Sequence, residues 1–396
     1  MTKRISKVLA LALAMMLLLT SCAMEPAEPI LTENYQYTEN ELRSMQLSEY
    51  AYDEYSPSLC DAFADYFKVG ACINPWTFSD PNSNDYKLIT KQFNAYVYEN
   101  STKPDAMHPS EDRYNFSDTD KLVEFAESQG ALVRGHTLIW HSQVPQWFFY
   151  ASGTSGEPAT AEQLMKRIDE HVTTIVTHYK GKIDTWDVVN EVINDGGGLR
   201  FSDWLKIVGD YDGDGDKYDY IEQAFISARA ADPDARLIIN DYNMEWSEQK
   251  TISMYLAVKK MLEDGVPIDG IGLQMHIGYD TNIDTLRSNL EKLAKLREIN
   301  PDFVLEVTEL DMNCNGWDGD PNDTEFIEKF NKTYSDLFAL LMEYSEMGFI
   351  DTVMFWGIND ANSWLNSSER DNYPFLIDRE NKFKSAYWDV ISLALE

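Results

Sequence analysis

The sequence predicts an α/β fold of the (β/α)8 TIM-barrel type, built as a single domain, and three observations lead to it. From about residue 50 to residue 396 the chain repeats one rhythm: a short run rich in β-branched residues, a polar loop, then a segment with apolar residues at helical spacing. No Pro/Ser/Gly-rich linker interrupts residues 50–396, a length that α/β barrels reach as one unit. Polar or aromatic residues close the apolar runs: Glu99 and Asn100, His136 and Trp140, Glu191, Asn243, Gln274 and His276, Glu309, and Trp356. Barrel active sites lie at the C-terminal ends of the strands, so residues sharing that position share one rim.

In chain order, the basic start Lys3, Arg4 and Lys7 precedes the apolar run Val8 to Leu19, which is too short for a comfortable membrane span and reads as a signal peptide. Leu19-Thr20-Ser21-Cys22 resembles a bacterial lipobox. Residues 1–22 are therefore expected to direct export, with Cys22 lipidated as the mature N-terminus and the protein anchored at the cell envelope or surface. Residues 23–49, rich in Glu, Pro, Thr, Asn and Gln, have little to bury and read as a flexible tether. Strands are expected to begin near Phe67, Phe93, Ala131 and Ile183, with a helix over 161–179 before the last of these, carrying Leu164, Ile168, Val172 and Ile175 on one stripe. Later strands are expected near Arg236, Gly270, Phe303 and Thr352, each preceded by a helical segment, over 220–231, 249–263, 286–298 and 325–347. Strands alternating with helices imply a parallel sheet, and eight such units close into a barrel.

A formal net charge of −34 repels nucleic acid and anionic lipid, which leaves a neutral substrate as the fitting partner and the N-terminal lipid as the sole membrane contact. Beyond Cys22 the cysteines are Cys60, Cys72 and Cys314, whose spacing fits neither a zinc ribbon nor a thioredoxin-like motif. Cys72, within the apolar run Val69 to Ile73, reads as a small buried hydrophobe. A Cys60–Cys72 bridge is compatible with the sequence but has no feature in its favour. A monomer without cofactor or bound metal is expected.

Two carboxylates stand out. Glu191 ends Trp186-Asp187-Val188-Val189-Asn190-Glu191, and Glu309 ends Val304-Leu305-Glu306-Val307-Thr308-Glu309. A surface acid needs no apolar run before it, whereas a carboxyl pair raised on rigid strands suits glycoside hydrolysis. One acid protonates the departing sugar oxygen, and the other carboxylate attacks or stabilises the anomeric carbon.

Several motifs then occur in a telling order: Gly135-His136-Thr137-Leu138-Ile139-Trp140-His141, the Glu191 segment, Asn240-Asp241-Tyr242-Asn243, Gln274-Met275-His276, Thr308-Glu309-Leu310-Asp311, and Trp356-Gly357-Ile358-Asn359-Asp360 with Ser363-Trp364. In this order the chain resembles glycoside hydrolase family 10, endo-β-1,4-xylanases that retain anomeric configuration, from about Phe67 to its C-terminus. The resemblance implies residues 50–396 as a catalytic domain acting on xylan or xylo-oligosaccharides. By the same resemblance Glu191 is the acid/base, Glu309 the nucleophile, and Asn190 the partner of the sugar 2-hydroxyl. It further implies that His276 contacts Glu309 and is oriented by Asp311. Glu99, Asn100, Lys103, His136, Trp140 and Gln274 would line the glycone side, while Trp356 and Trp364 supply a flat floor for a sugar ring. His141 is expected to be structural. The chain departs from the pattern at Val97, where Thr is usual, and at Thr102, where Met is usual.

A larger departure is Asp210-Tyr211-Asp212-Gly213-Asp214-Gly215-Asp216. Its start fits a calcium loop, but Ile221 stands where the closing glutamate belongs and Glu222 is one residue late, which favours a flexible acidic turn. Two other functions remain compatible with the sequence: a barrel cellulase or mannanase, and a glycan-capture protein on a decayed hydrolase fold. The presence of both carboxylates argues against the second.

Overall fold

The computed structural model describes residues 48–317 and 322–394. The expectations for residues 1–22, for Cys22 and for most of the tether therefore fall outside the described residues. Among the described residues nine strands run in chain order: β1 (Lys68–Ile73), β2 (Ala95–Tyr98), β3 (Leu132–Trp140), β4 (Thr185–Asn190), β5 (Arg236–Asp241), β6 (Gly270–Leu273), β7 (His276–Gly278), β8 (Val304–Asn313) and β9 (Thr352–Phe355). Neighbours pair in parallel from β1 to β6, β6 pairs with β8, β8 with β9, and β9 returns to β1. This closes an eight-stranded barrel, in which β7 serves as the continuation of β6 beyond Gln274 and Met275. Most strand residues are buried whichever face they point to, as a parallel sheet wrapped by helices requires, and apart from the polar and charged residues of β3, β4, β5 and β8 the strands read as apolar runs. The strand starts lie within two residues of their expected places.

The helices are α1 (Leu59–Ala62), α2 (Asn84–Gln92), α3 (Pro104–Met107), α4 (Ser117–Gln129), α5 (Ala161–His178), α6 (Asp203–Val208), α7 (Asp219–Ala231), α8 (Glu248–Glu263), α9 (Ile283–Ala294), α10 (Thr324–Glu346) and α11 (Ser385–Leu393). The five helices expected from apolar stripes are α5, α7, α8, α9 and α10. The expected 286–298 segment divides, because α9 gives way to a 3-10 turn at Lys295–Glu298. The start of α5 is fixed by a capping box, in which Thr160 accepts from Gln163 N and the Gln163 side chain accepts from Thr160 N.

Breaks in strand register aim side chains at the rim. Register shifts occur between His136 and Ile139, between Asp187 and Val189, and between Val307 and Leu310. They lie on the strands that carry His136, Asn190 and Glu309, where a bulge re-aims the side chains beyond it. Glu309 does not end its strand as the sequence suggested. β8 runs on to Asn313 because β7 supplies a partner for Asp311, Met312 and Asn313. Cys60, Cys72 and Cys314 are all free, so there is no Cys60–Cys72 bridge.

Candidate active site

Glu309 is buried at 5% exposure, and each of its oxygens has a partner. Oε1 accepts from Asn240 Nδ2 at 2.9 Å and Oε2 lies 3.2 Å from His276 Nε2. His276 Nδ1 in turn sits 2.9 Å from Asp311 Oδ1, the arrangement expected from sequence. Burial alone would raise the Glu309 pKa, but the hydrogen bond from His276 and the attraction of His136 and His276 outweigh it, and the carboxyl lies below its ordinary value. Burial opposes charge on His276 as well, yet Asp311 and Glu309 hold its pKa well above the ordinary value. The site thus presents a carboxylate paired with an imidazolium.

Asn240 joins the two halves of the site. Thr308 Oγ1 donates to Asn240 Oδ1 at 2.7 Å, which fixes the amide so that Nδ2 serves both Glu309 and Asn190 Oδ1, the latter at 3.0 Å. Asn190 Oδ1 also accepts from Gln274 Nε2 at 3.2 Å, so neither bond uses the Asn190 amide N–H groups. Glycine at 272 makes room for this cluster, since a Cβ there would stand 2.3 Å from Asn240 Oδ1 and 2.9 Å from Thr308 Cγ2.

Glu191 follows β4 with φ of 57°, left-handed backbone that a residue with a side chain adopts only under constraint. The constraint is visible. Its N–H donates to Asn240 O at 2.8 Å, and its carbonyl accepts from Arg200 Nε at 2.6 Å. Its carboxylate accepts from Trp140 Nε1 at 2.9 Å and from Gln274 Nε2 at 3.2 Å. His141, expected to be structural, has Nε2 3.8 Å from Oε2, which places its ring beside this carboxylate. Burial, aided by Arg200 and Lys250, lowers the His141 pKa against the pull of Glu191.

The remaining expected residues divide. Lys103 is buried and donates to Asn100 Oδ1 (3.1 Å) and Gln143 Oε1 (2.8 Å), and its Nζ lies 5.0 Å from the Trp140 ring centroid. Burial lowers its pKa despite nearby acids. Glu99 Oε2 accepts from Asn74 Nδ2 at 2.8 Å. Trp364 is 55% exposed and offers an open ring, while its Nε1 donates to Asp311 Oδ2 at 2.7 Å. Trp356 is 7% exposed, packed with Cys72, Val97 and Met354, with the His136 ring 5.3 Å away at a steep angle. Its contact with a ligand is therefore confined to a narrow part of its surface.

Sequence reasoning missed a charged layer beneath the rim. His136 Nδ1 lies 2.9 Å from Asp187 Oδ2. Arg134 bridges Asp187 and Glu306, and Arg236 joins Glu306 (2.8 Å) to Asp351 (2.8 Å). Burial would raise the Asp187 pKa, but Arg134 and His136 bring it below the ordinary value. The signal was present in the sequence, since a charged residue in the middle of an apolar strand must find a buried partner. Gln143, a partner of Lys103, was also missed. Trp76, Phe201 and Trp246 are exposed aromatics on loops that follow β1, β4 and β5.

Known proteins carry similar chains. The sequence profile described as glycosyl hydrolase family 10 matches residues 58–393. The endo-1,4-beta-xylanase C of Paenibacillus barcinonensis is 44% identical over 346 residues, covering 85% of this chain and 31% of that protein. The exoglucanase XynX of Acetivibrio thermocellus is 41% identical over 340 residues, covering 84% of this chain and 29% of that protein. The chain thus spans about three-tenths of the length of these curated relatives. A solved GH10 structure from Paenibacillus barcinonensis superposes with a TM-score of 0.81 at 44% identity, covering 85% of this chain and 97% of that one. A profile match across nearly the whole barrel, together with this likeness in structure, places the chain in glycosyl hydrolase family 10.

Proposed function

We propose that this protein is a retaining endo-1,4-β-xylanase that cleaves internal β-1,4-xylosidic bonds of xylan by double displacement. Glu309 attacks the anomeric carbon while Glu191 protonates the leaving oxygen. Glu191 then takes a proton from the water that releases the glycosyl-enzyme. The observation that carries this reading is the unequal treatment of the two carboxylates. Glu309 is sealed, doubly partnered and held ionised, as a nucleophile must be. Glu191 is less buried, and its carboxylate accepts from the neutral N–H groups of Trp140 and Gln274. The Asn190 amide N–H groups, unused by the two bonds to Asn190 Oδ1, meet the sugar 2-hydroxyl. Lys103, Asn100, Glu99 and Gln143 bind the glycone chain, and Trp364 stacks beneath a ring. All these groups come from one chain, so the chemistry needs no residue from a second copy, and we expect a monomer. Xylan is favoured over glucan by the xylanase C likeness, whereas the exoglucanase likeness keeps glucan as the competing outcome. Reducing-sugar release from xylan, carboxymethylcellulose and mannan decides among them, with xylan expected to exceed the others. NMR of the first product should show the β-anomer, and an α-anomer appearing first would overturn the mechanism.

The same reading includes export and anchorage. The basic start, the apolar run and the lipobox-like Leu19 to Cys22 support lipidation at Cys22. Wild type should partition with detergent and Cys22→Ala with the aqueous phase, and identical partitioning would refute the anchor.

A further inference from the structure

The aspartate-rich stretch between α6 and α7 gains from the fold a member that its sequence spacing does not reveal. Asp219, at the start of α7, is brought under the loop and is 5% exposed. Its Oδ1 accepts from Tyr211 N at 3.1 Å and Asp212 N at 2.9 Å. Its Oδ2 is buried and, among the described residues, meets no hydrogen-bond donor. One carboxylate oxygen from each of Asp210, Asp212 and Asp219 lies within 4.8 Å of the others. No ion pair with a Lys or Arg relieves these three among the described residues. A buried carboxylate oxygen without a partner, held beside two further negative charges, is costly unless a cation completes it.

We propose that Asp210, Asp212 and Asp219 form a calcium-binding site outside the catalytic centre. Three hard oxygen donors on a glycine-containing loop suit the large, loosely coordinated Ca²⁺, with backbone carbonyls and water completing its shell. Mg²⁺ demands tighter octahedral geometry and gives up its waters reluctantly. The closing glutamate of a helix–loop–helix calcium site is not needed, because Asp219 supplies a buried ligand from the helix itself. A neighbouring trio serves as an internal comparison. Asp214, Asp216 and Asp264 are equally close together, but Lys260 Nζ sits 3.6 Å from Asp214 and 3.2 Å from Asp216 and also pairs with Asp264. That trio already has its cation. The field of the whole cluster reaches Glu222, whose pKa burial and the charges of Asp216, Asp219, Asp264 and Asp212 push up to about 7.

The test uses the full-length protein, chelator-treated and then titrated with calcium chloride in a calorimeter at pH 7. One saturable site per chain is expected, together with a melting temperature higher by a few degrees at about one hundred times Kd. Asp212→Asn, at an exposed position, should weaken calcium binding by about tenfold or more while leaving xylan hydrolysis in chelator unchanged. Asp214→Asn, in the Lys260 trio, should weaken it by less than about threefold. The proposal is overturned if no saturable heat or thermal shift is seen, or if magnesium or sodium at equal ionic strength gives the same shift. Equal losses in Asp212→Asn and Asp214→Asn would overturn it too.

Discussion

At the scale of single residues, the chemistry rests on what surrounds two carboxylates. Glu309→Gln should abolish xylan hydrolysis, with losses of several orders of magnitude. Glu191→Gln should do the same on xylan but much less on an activated aryl xyloside, whose leaving group needs no proton. Single-turnover rates on both substrates check the assignment, and equal losses on both would reverse it. The His276–Glu309 pair also makes a prediction about pH. The folded Glu309 carboxyl lies below 4.5, so its stabilisation is present above that value and fades as pH falls through the folded pKa. His276 lies above 6.5, so its share is present below that value and fades as pH rises through its folded pKa. Both contributions hold fully between 4.5 and 6.5. His276→Gln removes the cation, so the acidic limb of kcat/KM should move up by about one to three pH units. Glu191, Glu309, Asn190 and His276 were legible in the sequence because they sit within motifs. Asn240 and Thr308 were part of quoted motifs without a role, since a bridging amide reveals itself only once β5 and β8 are seen on either side of β6. The nearness of His141 to Glu191 was not legible, because nothing in a strand sequence says which of two nearby histidines faces the carboxylate.

At the scale of elements, strand starts and the longer helices could be read because parallel strands buried on both faces leave unbroken β-branched runs. The short helices α1, α3 and α6 and the polar α2 and α4 were harder, since their formation depends on packing against the barrel more than on an apolar stripe of their own. The end of β8 was misplaced for a similar reason: a strand lasts as long as a partner does, and β7 is visible only after folding. The packing of β5, β6 and β8 yields a sharp test at Gly272. A methyl there must displace the Asn240–Thr308 pair, so Gly272→Ala should cost about 1–3 kcal/mol in urea unfolding. It should also lower kcat, because Asn240 holds both Glu309 and Asn190. A variant with wild-type stability and turnover would show that the pair can move freely.

At the scale of the whole molecule, a chain of charges runs from buried Asp187, Arg134 and Glu306 in the barrel interior out through Arg236 to the half-exposed Asp351. Removing one partner strands the others in low dielectric, so Arg134→Met should destabilise by about 3–5 kcal/mol, measured by chemical denaturation. The surface gives a different prediction. With a net charge of −34, the protein should act more slowly on glucuronate-decorated xylan than on neutral arabinoxylan at low salt. Raising ionic strength to about 0.1 M, where screening acts beyond roughly 10 Å, should narrow that gap. Initial rates on the two polymers across a salt series check this. Asp311 constrains how such an enzyme can change. It accepts a hydrogen bond from the exposed Trp364 and faces the imidazole that holds Glu309 ionised. If Trp364 grips the polymer and Glu309 attacks, as proposed, both roles draw on one carboxylate. A variant selected for looser binding at Trp364 alters the nucleophile along with it, so affinity and rate in this barrel are inherited as one trait.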